Sequence, residues 1–162
     1  MKRQLLLLLC IIIFIINRFL NTGQERIIKP VPQNSLVTKV ISIAKSYQGV
    51  PYRAGGTTSQ GMDCSGLVQT SFKKIDVPLP RSSQSMSNEG QNVLLENIKK
   101  GDLLFFNINR LKGKINHVGL VTSVKNNSII FIHSTTSKGV ITNSLDDNYW
   151  KKAFVKARRV LK

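Results

Sequence analysis

Between residues 102 and 144 four apolar runs of strand length follow one another: DLLFFNI, HVGLVTSV, SIIFIHST and GVITNS. Only short polar stretches separate them. Neighbours joined that closely pair antiparallel, because a parallel partner needs a crossover of roughly a dozen residues or more. Ahead of them, NSLVTKVISIAKSYQG sets Leu36, Val37, Val40, Ile41, Ala44 and Tyr47 at helical spacing, with Asn34 or Ser35 as cap and Gly49 as terminator. CSGLVQTSFKKI reads as a second short helix that ends before Pro78 and Pro80, and RSSQSMSNEG as a short helix or irregular turn. KNN at 125–127 reads as the connection of a hairpin. Helices first and strands afterwards predict an α+β domain, its helices packed on an antiparallel sheet.

The N-terminus bears on the compartment. Lys2 and Arg3 precede a continuous apolar run from Leu5 to Ile16, the length of a secretory h-region and short for a bilayer span. Residues 1–20 are therefore expected to be a signal peptide or membrane anchor, residues 21–33 a Pro-containing linker, and 34–162 the functional domain. The expected location is the periplasm or cell envelope, with membrane association through the leader left open. Lipidation at Cys10 is the less favoured variant, because no small residue precedes that cysteine and only Leu5 to Leu9 lie before it.

Export makes the cysteine count informative. The chain has two cysteines, and removal of the leader would leave Cys64 alone, with no intramolecular partner. Such a thiol is reactive, intermolecular or buried. One cysteine and two histidines also argue against a structural zinc site.

Cys64 stands where a glycine-rich turn, GGTTSQGMD, meets the apolar helix. A helix N-terminus lowers a cysteine pKa, so this junction is expected to hold a thiolate. A nucleophilic thiol also needs an imidazole within reach and a polar group to orient that imidazole. His117 opens one predicted strand and His133 lies near the end of the next. Paired through the KNN turn, they fall at positions of equal parity, which permits one face of the sheet. A small core cysteine and two surface or core histidines are the competing reading.

The ordered set YQGVPYRAGGTTSQGMDCSGLVQTSF, LPRSS, KKGDLLFF, NHVGLVTSV, IHSTTSKGVITNSL and YWKKAFVKARRVL resembles the NlpC/p60 family of papain-like cysteine peptidases, and within it the Spr/MepS-type murein endopeptidases. The resemblance implies a papain-like α+β fold with Cys64 as nucleophile, His117 as base and His133 as its orienting group. It implies that Tyr52 adds a donor at the oxyanion or the substrate, and that Asp63 and Ser65 contact the peptide stem. Arg81 matches a recurrent arginine whose role is structural or substrate-binding. The implied activity is hydrolysis of peptidoglycan peptides without metal or cofactor, with the D-Ala–meso-diaminopimelate cross-link as favoured bond. Cleavage within the stem, beside D-glutamate, is the first alternative. An amidase, an acyltransferase or a non-catalytic wall-binding module on the same fold are the others. The expected state is a monomer.

Charge points the same way. The chain carries a net +16, and residues 30–162 hold 19 Lys or Arg against 7 Asp or Glu, a net of +12. That balance suits an anionic partner such as a carboxylate-rich cell wall. A nucleic-acid partner is disfavoured by the leader and by the lack of aromatics interleaved in the basic segment. KKAFVKARRVLK at the C-terminus reads as a strand with a basic outer face. Binding of the protein to sedimented cell wall should weaken steadily with added salt, because screening shortens the reach of these charges; pelleting that ignores salt would remove the electrostatic account.

Overall fold

The computed structural model describes residue 4 and residues 11–16, 33–126 and 128–161. Residue 4 and residues 11–16 are helical, and the rest of the predicted leader lies outside the described residues, as do residues 21–32 of the predicted linker. No described helix is long and apolar enough to cross a membrane. The chain divides into two units, and Val31–Lys162 is the one that carries the predicted helices and strands.

Helix α1 (Gln33–Ser46) begins one residue before the predicted cap, so Gln33 belongs to the helix rather than to the linker. A two-residue hairpin, β1 (Thr57–Thr58) and β2 (Gly61–Met62), then forms inside the glycine-rich turn, where no strand was predicted. Helix α2 (Cys64–Lys73) follows, then a single turn, α3 (Ser83–Met86). The sheet is built from β3 (Gln91–Val93), β4 (Leu103–Phe106), β5 (His117–Lys125), β6 (Ser128–Thr135), β7 (Gly139–Ser144) and β8 (Phe154–Arg159). Helix α4 (Asn148–Ala153) precedes β8. The strand order is β3-β8-β4-β5-β6-β7, antiparallel throughout.

Side-chain alternation splits the core across this sheet. Leu103, Phe105, Val118, Leu120 and Ile132 pack with Val40, Ala44, Leu67, Val68 and Phe72 of α1 and α2. Leu104, Phe106, Val121 and Phe131 point the other way and pack with Trp150 of α4 and Ala157 of β8. Strand β4 is covered on both faces, which is why its sequence is an unbroken LLFF.

The C-terminal segment departs from expectation. Lys151, Lys152 and Ala153 finish a helix, and the strand starts only at Phe154. Its arginines are not a free basic face: Arg158 donates to the carbonyls of Asn88 and Glu89, and Arg159 forks onto the buried Asp102 at 2.8 Å to each oxygen. Those contacts seat β8 between β3 and β4.

Two local features position the predicted histidines. Lys125 pairs with Ser128, so the β5–β6 connection is one residue shorter than KNN; Asn127 lies outside the described residues. Counted from that end, His117 and His133 would face opposite sides. A register shift between Val121 and Ser123 inserts one residue, after which Leu120 pairs with Ile132. The bulge restores the parity, and both histidines face α4.

The glycine-rich turn is pressed against the first turn of α2. A Cβ on Gly66 would lie 2.1 Å from the carbonyl oxygen of Gly56. Gly66→Ala should therefore displace the turn and cost roughly 1–3 kcal/mol, seen as a lower denaturation midpoint; an unchanged midpoint would show that the turn yields freely.

Candidate active site

Asp63 is the N-cap of α2 and holds the segment before Cys64 from several directions. Its Oδ1 accepts the Gly66 N–H at 2.7 Å and its Oδ2 the Gly55 N–H at 2.8 Å. Arg81 forks onto the same carboxylate, Nη1 to Oδ1 at 2.9 Å and Nη2 to Oδ2 at 2.6 Å. Nη1 also donates to Ser65 Oγ at 2.7 Å, and that hydroxyl donates to Asp63 Oδ1 at 3.2 Å. Burial raises the Asp63 carboxyl, but the bonds from Arg81, Gly66 and Gly55 outweigh it and hold the pKa below the ordinary value. Of the four residues expected at the substrate, Asp63, Ser65 and Arg81 thus form one network bonded to one another, and Tyr52 is not part of it.

Cys64 is a free, partly exposed cysteine at the first position of α2. Its sulfur is densely surrounded. Burial pushes the thiol up to about 11, against the lowering effect of N–H donors from Val118, Ser65 and Cys64 itself. Desolvation therefore opposes the thiolate expected at the helix N-terminus.

The two imidazoles are joined. His117 Nε2 lies 2.9 Å from His133 Nδ1, and His133 Nε2 lies 2.9 Å from Asn143 Oδ1. Asn143 turns its Nδ2 to Asp147 Oδ2 at 3.4 Å, which leaves its oxygen for the histidine. An amide oxygen only accepts, so His133 carries its proton on Nε2 and accepts on Nδ1. His117 must then donate from Nε2, which leaves its Nδ1 lone pair for another partner. Burial lowers His117 to about 3, helped by His133 and Arg110, and lowers His133 to about 4 against the bond to Asn143. Trp150 stacks on His117 with centroids 5.4 Å apart and meets His133 edge-on at 4.6 Å, closing the pair off from water.

A cleft of about 420 Å³ brings Cys64 and His117 together with Tyr52, whose phenol burial raises, followed by the charges of Cys64 and Asp63. Its other walls are Trp150, the 108–116 loop and the 134–137 turn. Larger hollows of about 770 and 610 Å³ lie elsewhere and hold neither thiol nor imidazole. The arrangement suits acyl transfer: a sulfur nucleophile, a neutral base of fixed tautomer and a hydroxyl donor around one space. Among the described residues no three His, Cys, Asp or Glu side chains cluster as metal ligands would. Sequence reasoning missed Asn143, Asp147 and Trp150. Asn143 had a signal: it sits on the strand after His133, two residues beyond His133's partner Ile141, and so shares its face.

The model of the NlpC/P60 family matches residues 49–159. Over 143 residues the chain is 36% identical to the murein DD-endopeptidase MepS/murein LD-carboxypeptidase of Escherichia coli K12, covering 88% of this chain and 72% of that protein. It is 40% identical over 117 residues to the probable endopeptidase NlpC of the same organism, covering 72% and 73%. Among solved structures, an NlpC/P60 family protein from Bacillus cereus matches with a TM-score of 0.70 at 31% identity, over 80% of this chain but 43% of that one. The peptidoglycan hydrolase RipB of Mycobacterium tuberculosis matches with a TM-score of 0.69 at 27% identity, over 87% and 72%.

The two lowered histidines make stability depend on pH. Below the ordinary value of 6.5 the unfolded chain takes up protons that the folded chain refuses. Their contribution is therefore full above about pH 6.5 and is lost as pH falls toward the folded values near 3 and 4. Between pH 7 and pH 5 the urea midpoint should drop more for the wild type than for a His117→Gln, His133→Gln double variant; equal drops would contradict the burial account.

Proposed function

The chain belongs to the NlpC/P60 family, and on that premise we propose that it is a peptidoglycan endopeptidase using a Cys64–His117–His133 thiol mechanism. The observation that carries the mechanism is the 2.9 Å bond between His117 Nε2 and His133 Nδ1, which leaves His117 Nδ1 for the cleft where Cys64 lies.

A neutral thiol and a neutral imidazole make the first step a coupled one. Cys64 passes its proton to His117 Nδ1 as its sulfur bonds to the carbonyl carbon of a stem peptide. The carbonyl oxygen becomes an oxyanion, with the Tyr52 hydroxyl and the Cys64 backbone N–H as its donors. His117 then gives its proton to the departing amine as the C–N bond breaks, leaving a thioester on Cys64. Water, losing a proton to His117, attacks the thioester; the C–S bond breaks, the acid is released and the sulfur recovers its proton. The imidazolium formed midway shares its charge with His133 through Nε2. Asp63, Ser65 and Arg81 stand beside the nucleophile as the surface for the peptide stem.

The favoured bond is the D-Ala–meso-diaminopimelate cross-link, supported by likeness over most of the chain to a relative named as a murein DD-endopeptidase. Cleavage beside D-glutamate has support from the gamma-DL-glutamyl hydrolase of Bacillus subtilis, 38% identical over 74% of this chain but only 28% of that protein. Residues 1–20 are read as export signal or anchor and 34–162 as the catalytic domain, acting in the cell envelope as a monomer.

Incubation with purified peptidoglycan, followed by mass spectrometry of the muropeptides, tests the reading. Cross-linked dimers should fall and monomers rise, whereas shortened monomer stems would move the scissile bond beside D-glutamate. Cys64→Ala should abolish turnover, and His117→Ala should lower it at least about a thousandfold. Identical products from wild type and Cys64→Ala would end the peptidase reading.

A further inference from the structure

Two arginines stand near the nucleophile, and they differ in what their charge meets. Arg81 is neutralised by Asp63. Arg110 is exposed, lines the cleft with Cys64 and His117, and meets no carboxylate: the ion pairs among the described residues are Arg81–Asp63 and Arg159–Asp102. Its side chain reaches across to the 134–137 turn, where Nη2 lies 3.5 Å from Thr136 Oγ1.

The loop that carries Arg110 is pinned. Asn116 accepts the Ile108 N–H on Oδ1 at 2.8 Å, and its Nδ2 faces the carbonyls of Ile108, Leu111 and Gly113 at 3.1–3.3 Å. Ile108 and Ile115 are buried at the loop's two ends, and the Ile115 N–H donates to Gln84 Oε1 at 3.1 Å. A guanidinium on so well-tied a loop loses less freedom on binding than one on a slack loop. Its charge also reaches the chemistry, as one of the causes that lower His117. An unneutralised cation beside a base that must become cationic opposes the reaction until an anion arrives.

We propose that Arg110, with the Thr136 hydroxyl, is a subsite for a free carboxylate of the substrate peptide on the sheet side of the cleft. Tyr52 and Cys64 lie on the helix side. This rests on the peptidase reading and deepens it, since it makes the substrate an acidic peptide whose carboxylate next to the scissile amide is recognised. The guanidinium fork matches a carboxylate in two-point contact, which a carboxamide cannot reproduce. The bound anion also offsets the positive field at His117, so the carboxylate favours turnover as well as binding.

The test uses two synthetic stem peptides that differ only in carrying a free carboxylate or a carboxamide beside the scissile bond. Wild type should prefer the free acid by about tenfold in kcat/KM, the effect of one charge-assisted contact. Arg110→Gln should bring that ratio to about one by slowing the free acid while leaving the carboxamide unslowed or faster, since the cation that opposes its turnover is gone, and Arg110→Lys should retain part of the preference. Lys112→Gln, in the same loop, should keep the wild-type ratio. Equal rates on both peptides for the wild type would overturn the proposal, as would equal slowing of both by Arg110→Gln. Binding to Cys64→Ala protein, followed by the fluorescence of Trp150, the chain's single tryptophan, reads the subsite without turnover. A wild type that cleaves neither peptide sinks the peptidase reading, and the binding preference then still decides for or against Arg110.

Discussion

Asp63 is the residue on which the cleft is organised. Its carboxylate caps α2, ties down Gly55 of the glycine-rich turn and receives both ends of the Arg81 fork. These bonds fix the residue before Cys64, and so the direction from which the sulfur enters the cleft. The turn lies close enough to α2 for this because residue 66 is a glycine, where a Cβ would strike the Gly56 carbonyl, and it folds on itself because residue 56 is one, where a Cβ would strike the Gly61 carbonyl. Charge, hydrogen bonding and the absence of side chains act together at one junction.

Desolvation governs the rest of the site. It lifts the thiol and lowers both imidazoles, so proton transfer in the proposed reaction accompanies bond formation rather than preceding it. What replaces an ion pair as the ordering device is a chain of hydrogen bonds that starts at Asp147 and passes through Asn143 and His133 to His117. Each link dictates which nitrogen of the next carries the proton. Trp150 covers the two imidazoles of that chain, both of which are buried.

Much of this was legible beforehand, for reasons that can be located. The four central strands and both main helices follow from local periodicity, and their bounds came within a few residues. Cys64 stands out in the sequence because it sits at a turn-to-helix junction. The sequence places His117 and His133 side by side through a three-residue turn, whereas their nearness arises from a shorter turn plus a bulge at Thr122. The C-terminal helix turn at Lys151–Ala153 was missed, since its short, basic sequence alternates well enough to read as strand.

The sequence by itself determined the α+β class and the order of elements, and it singled out Cys64, His117 and His133 as candidates, because these depend on side-chain types at local spacings. Tertiary structure alone decided that β8 enters between β3 and β4, that Asp63, Ser65 and Arg81 close into one network, and that Arg110 meets no carboxylate among the described residues. It also decided how far burial raises the thiol. Those outcomes depend on which groups meet across the sheet and on how much water remains around them, and neither quantity is carried by any stretch of chain taken alone.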